Sequence, residues 1–134
     1  MSKKDIGYSE ALTQGVRVIA QSFFVPERSN PGASEYFFAY KIRIVNEGKE
    51  PVRLINRHWI ITSAVGKVEE VKGPGVVGEQ PRLNPGEFFE YTSACPLATP
   101  MGSMHGTYEM VHDDERAFMA EVARFQLVAP FAVN

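Results

Sequence analysis

One cysteine, Cys95, stands in 134 residues, so the chain can form neither an internal disulfide nor a cysteine-pair metal site. A lone cysteine of this kind reads as a small, partly buried hydrophobe. Long apolar runs are also missing, and nothing approaches the roughly 20 residues of a membrane span. The start, Met1-Ser2-Lys3-Lys4-Asp5-Ile6-Gly7-Tyr8-Ser9-Glu10, lacks the apolar centre of a secretory signal. These absences predict a cytoplasmic protein without membrane insertion. Charge of one sign is scarce too: 14 Lys and Arg against 16 Asp and Glu give a net charge of −2, with the basic residues scattered singly. No basic stretch offers a footprint for nucleic acid, and none is expected as a partner. Helical periodicity is the last absence, since no long segment repeats its apolar residues every 3.6 positions.

Period-two alternation is present instead. Val16, Val18 and Ala20 alternate with Arg17, Ile19 and Gln21, and Phe38, Tyr40, Ile42 and Ile44 alternate with Lys41 and Arg43. Val52 and Leu54 flank Arg53, and His58-Trp59-Ile60-Ile61-Thr62 is rich in residues suited to a pleated surface, with Trp59 as the central core residue. Further strands are expected at 68–71, 87–93, 106–111 and 118–127, the last presenting Met119, Ala123, Phe125 and Leu127 on one face. Polar turns separate them, at 26–32, 46–49 and 112–116. Seven to eight short strands without crossover helices predict an all-β, antiparallel sandwich of immunoglobulin or fibronectin III type. The chain reads as one domain over 1–134, with its core at 16–127 and loose ends at 1–10 and 130–134.

The segment Gly73-Pro74-Gly75-Val76-Val77-Gly78 has the G-x-G-x-x-G spacing of a dinucleotide fingerprint. That fingerprint works by presenting a helix N-terminus to pyrophosphate, and here Pro81 and Pro85 argue against any helix following. Pro74 also lacks a backbone donor. A turn-built anion nest is the remaining route by which Gly73, Gly75 and Gly78 could bind phosphate. The plainer reading is a connection whose glycines permit positive φ and close backbone approach.

Other chemistry finds little support. His58, His105 and His112 lie on separate elements without metal-ligand spacing, and the run His112-Asp113-Asp114-Glu115 suits a solvated turn. No G-x-S-x-G elbow accompanies Thr92, Ser93, Thr99 or Ser103. Phe37, Phe38, Tyr40, Phe88, Phe89 and Tyr91 are interleaved with Glu87 and Glu90, which favours core packing over base stacking. We expect no catalytic residues, no metal and no cofactor, hence no enzyme.

Several longer blocks carry a resemblance. Arg57-His58-Trp59-Ile60-Ile61-Thr62, Glu70-Val71-Lys72-Gly73-Pro74-Gly75-Val76-Val77-Gly78-Glu79-Gln80-Pro81, Pro85-Gly86-Glu87 and Tyr91-Thr92-Ser93 resemble the ApaG family in order and content. So do Tyr36-Phe37-Phe38-Ala39-Tyr40 and Thr99-Pro100-Met101-Gly102-Ser103-Met104-His105-Gly106-Thr107-Tyr108-Glu109-Met110. The resemblance implies a fibronectin III-like sandwich, found alone in bacteria and as a domain of eukaryotic F-box and polymerase-interacting proteins. It also implies an association with cobalt resistance and magnesium efflux, and gene neighbourhoods shared with diadenosine polyphosphate hydrolysis, while giving no residue a mechanism. His58, Cys95 and His105 look like positions at which members of that family differ.

Two functions follow as expectations. The first is a non-enzymatic module binding a protein partner, with room for a homodimer, through a sheet face or an added edge strand. The alternative is a protein that responds to ions in cobalt and magnesium efflux, or that binds pyrophosphate or nucleotide through Gly73, Gly75 and Gly78.

Overall fold

A computed structural model describes residues 6–132 of the chain, and these form two antiparallel sheets packed face to face. In chain order the strands are β1 (Tyr8–Thr13), β2 (Val16–Phe24), β3 (Tyr36–Asn46), β4 (Val52–Ser63), β5 (Val68–Pro74), β6 (Arg82–Leu83), β7 (Phe88–Leu97), β8 (Met101–His112) and β9 (Ala117–Val128). One sheet runs β1-β2-β3-β7; the other runs β5-β4-β8-β9, with the short β6 also paired to β4. Three single-turn 3₁₀ segments, Pro26–Arg28, Pro31–Ala33 and Pro130–Ala132, are the only helical pieces among the described residues. The expected β-sandwich is therefore the fold.

The alternating positions of β2 and β3 face inward as their sequence requires, and Val16, Val18, Ala20, Phe38, Ile42 and Ile44 are fully buried. Trp59 joins them from the opposite sheet at 2% exposure and packs edge-on against Tyr40, Tyr108 and Phe125, at centroid distances of 5.4, 6.0 and 6.1 Å. Such rings contribute both area and edge-to-face attraction to a core.

Three expectations need correction. Residues 8–10 are not a loose end: they open β1, where the hydroxyl of Ser9 donates to the carbonyl of Ala123 in β9. At the other end, Phe131 of 130–132 packs on Phe24 and Tyr36, whereas 1–5 and 133–134 lie outside the described residues. On β9 the buried positions are Phe118, Ala120, Val122, Phe125 and Leu127, and Met119 points outward at 56% exposure. A bulge causes this. Gly106 pairs with Val122 and Met104 with Phe125, so β9 gains one residue over β8 and its side-chain parity flips. The aromatic group divides as well, since Phe37 lies beneath Arg28 and Phe88 beneath Arg43 on the outer surface.

The two long seams of the sandwich differ. Along one, β1 and β2 are tied to β9 by Ser9 to Ala123, Ser22 Oγ to the Gln126 carbonyl, and the Gln126 amide to the Ile6 carbonyl, at 2.7 Å each. Along the other, the edge strands β5 and β7 stand apart.

Candidate binding groove

Between β5 and β7 lies a groove of about 440 Å³ lined by Arg57, Trp59 and Ile61 of β4, Glu69 and Val71 of β5, and Ser93 and Cys95 of β7. It continues past Arg57 into a smaller space of about 220 Å³ lined by Tyr40, Val77, Gly78, Tyr91 and Ser93. How an arginine comes to lie there follows from the path of β4. Val52 and Leu54 point inward, and strict alternation would then bring Asn56 and His58 into the core. A bulge between Leu54 and Asn56 shifts the parity, so Arg57, Trp59 and Ile61 face inward instead.

The glycine-rich segment braces this bulge. The amide of Gly75 donates to the carbonyl of Ile55 at 2.8 Å, and Nε2 of Gln80 donates to the same oxygen at 2.9 Å. Val76 and Glu79 exchange backbone hydrogen bonds of 2.8 and 2.9 Å across a two-residue turn, with Val77 at φ +44° and Gly78 at φ +82°. Two successive positive φ values are the geometry of a tight β-hairpin, in which glycine at the second central position is favoured. Gly75 has φ +64°, and a Cβ there would stand 2.4 Å from the carbonyl oxygen of Glu79. Only glycine fits without moving the backbone.

Gly73 sits directly opposite Arg57 in the β4–β5 register, without a positive φ. Its missing side chain makes room for the guanidinium, which would lie 3.2 Å from a Cβ at that position. Nη1 of Arg57 donates to the carbonyls of Pro74 and Gly75, at 3.0 and 2.9 Å. The motif thus gathers Gly73, Gly75 and Gly78 around one arginine and meets it with acceptors. A phosphate cradle needs converging donors, yet Pro74 has none and the amides of Gly75 and Val76 are spent on Ile55 and Glu79.

Arg57 has no carboxylate within ion-pair distance among the described residues, and Nη1 is the only one of its nitrogens that they hydrogen-bond. Tyrosines surround it. The hydroxyls of Tyr91 and the fully buried Tyr108 share a hydrogen bond of 2.5 Å, and desolvation raises both phenols above their ordinary 10.0. Burial likewise raises Tyr40, and the neighbouring Ser93 side chain opposes that rise. All three phenols are therefore neutral donors at physiological pH. Nε1 of Trp59 is buried without an acceptor among the described residues. Burial, with a smaller contribution from Glu69, pushes the Cys95 thiol up to about 11, so it carries no thiolate near neutrality.

Residues named from the sequence lie partly elsewhere. His58 is on the outer face of β4, with Nε2 3.7 Å from a carboxylate oxygen of Glu70. His105 lies one strand away, opposite Ile60, and desolvation and Arg124 lower its pKa. His112 is at the far end of β8 beside Glu50 and Phe118. Among the described residues no three His, Cys, Asp or Glu side chains are placed to hold a metal ion, and no helix is long and apolar enough to cross a membrane. Arg57 is the site residue that sequence reading passed over. Its signal was available: it shares period-two parity with Trp59 and Ile61, a charge on an apolar face.

Comparison with known proteins gives a consistent result. A family model described as the ApaG domain matches residues 26–112. "Protein ApaG" of Anaeromyxobacter dehalogenans (strain 2CP-C) is 56% identical over 126 residues, covering 94% of this chain and 99% of that protein. Its counterpart in Paramagnetospirillum magneticum is 50% identical, covering 92% and 94%. Among solved structures, a Bordetella pertussis protein described under the name ApaA superposes with a TM-score of 0.84 at 47% identity, covering 92% of this chain and 95% of that one. With the family model spanning most of the sandwich and relatives at half identity over nearly their whole length, the chain belongs to the ApaG domain family.

Proposed function

We propose that this ApaG-domain chain is a non-enzymatic binding module that takes a partner protein into the open seam as an added strand. The observation that carries this reading is the asymmetry of the two seams. One is sealed by hydrogen bonds from β9, and the other leaves β5 and β7 apart over a groove floored by Trp59. An edge strand presents unpaired backbone groups, which give affinity to an extended segment, and the neighbouring side chains give selectivity. The thiol of Cys95, which lines the groove, stays protonated near neutrality and is a poor nucleophile. The protein is expected to work in the cytoplasm as a soluble adaptor.

Affinity capture from the native host tests this, comparing the parent protein with Val71→Lys, which places a charge at the mouth of the groove. We expect the variant to melt within a few degrees of the parent and to lose the captured partner. Equal capture by both proteins would reject the groove as the binding surface.

One observation favours a second reading. An arginine without a carboxylate partner, lying beside Gly78, also suits a pyrophosphate, met by Arg57 and the tyrosine hydroxyls rather than by the glycine amides. Calorimetry with nucleotides and diadenosine polyphosphates, alongside Mg²⁺ and Co²⁺, separates the readings. Saturable heat that vanishes in Arg57→Gln would favour the ligand.

A further inference from the structure

We propose that the groove reads a partner segment of the pattern acid-x-apolar-x-base, docked antiparallel on the edge of β5 with its acid at Arg57 and its base at Glu69. The inference rests on the strand-addition reading and supplies its direction and chemistry.

Two edges border the groove, and they are not equivalent. β7 carries Pro96, which has no backbone donor and blunts that edge. β5 is free of proline from Val68 through Gly73, and among the described strands it pairs only with β4. Its inner face is defined by register: Gly73 stands opposite Arg57, Val71 opposite Trp59, and Glu69 opposite Ile61. Reading along that face gives a cation, an apolar step and an anion.

The cation belongs to β4, yet it acts at the edge. Because Gly73 has no side chain, the guanidinium lies over β5 itself, and its Cζ would be 3.3 Å from a Cβ at Gly73. A docked strand runs about 4.8 Å from β5, within reach of that guanidinium for an acidic side chain placed beside Gly73. Nε and Nη2 carry no hydrogen bond among the described residues and present donors in the fork geometry that suits a carboxylate.

Two residues further, the docked strand passes Val71, which is 39% exposed above Trp59. An apolar side chain is favoured there. After two more residues, about 13 Å from the acid, it reaches Glu69, a carboxylate without an ion-pair partner among the described residues. An antiparallel segment meets Gly73 before Glu69, since β5 runs from Glu69 to Gly73, so the acid precedes the base in the partner's sequence. The reversed order would place like charges together at both ends.

The test is selection of random nonapeptides displayed on phage against the full chain, followed by titration of the selected peptides and by hydrogen exchange of the β5 amides. We expect enrichment of acid-x-apolar-x-base, protection of β5 amides on binding, and at least about tenfold weaker binding when the two charged positions are exchanged. Glu69→Lys should prefer acid-x-apolar-x-acid. This variant changes an exposed position and keeps the fold, so its preference is readable even if Arg57→Gln is unstable. Peptides that protect β5 without that charge order, or a Glu69→Lys variant with unchanged preference, would overturn the motif and leave strand addition standing. Absence of any enriched peptide, with β5 amides exchanging as before, would overturn both.

Discussion

Arg57 and Gly73 face each other across β4 and β5, and the guanidinium of one occupies the space that the missing side chain of the other leaves. The carbonyls of Pro74 and Gly75 then hold it, so the first half of the glycine motif serves an arginine within the chain. Gly75 has another role, since its positive φ turns the chain into the hairpin that braces the β4 bulge.

The two glycines should therefore respond differently to alanine. In Gly75→Ala the new Cβ meets a backbone carbonyl at 2.4 Å in a left-handed conformation, and a loss of roughly 1 to 3 kcal/mol is expected. In Gly73→Ala it meets the end of a flexible side chain at 3.2 Å, which can shift, and the loss should stay below about 1 kcal/mol. Urea midpoints of the two variants measure both. Equal losses would contradict the division of roles.

The Tyr91 and Tyr108 hydroxyls are each other's partners within the core. Tyr91→Phe strands the Tyr108 hydroxyl at a fully buried site, at an expected cost of about 1 to 3 kcal/mol. Replacing both by Phe should recover part of that loss, because no orphaned group remains. A double-mutant cycle by denaturant unfolding reads the coupling directly, and strict additivity would count against the pair.

Trp59→Ala removes the ring at the centre of the aromatic cluster and should cost on the order of 3 to 5 kcal/mol. Thermal unfolding checks this, and an unchanged melting temperature would show that the indole is not the keystone its contacts with Tyr40, Tyr108 and Phe125 indicate.

Cys95 should resist iodoacetamide in the native protein at pH 8 and react readily in denaturant. Its folded pKa is raised from 9.0 to about 11, so the unfolded chain loses the proton first, and stability falls as pH rises between those values. Below pH 9 the thiol makes no pH-dependent contribution. Cys95→Ala should therefore lessen the alkaline loss of stability while changing neutral stability only modestly. Rapid native alkylation at pH 8 would refute the buried, neutral thiol.

Sequence alone determined the class of the fold, because period-two alternation in β2 and β3 is a local property of each strand. The burial of Phe38, Ile42 and Ile44 follows from it directly. It also established that the glycine run lacks the helix a nucleotide fingerprint requires. Tertiary structure decided which side of β4 and β9 faces inward, because a bulge depends on the strand opposite. Counting in twos therefore failed for Met119, and for Arg57 it gave two answers, outward when counted on from Leu54 and inward when counted back from Trp59. The edges themselves were likewise invisible beforehand: β5 and β7 belong to different sheets, and only the closure of the other seam by β9 leaves them facing an open one. The site exists because two sheets meet on one side and part on the other, a relation between whole strands that no single stretch of residues encodes.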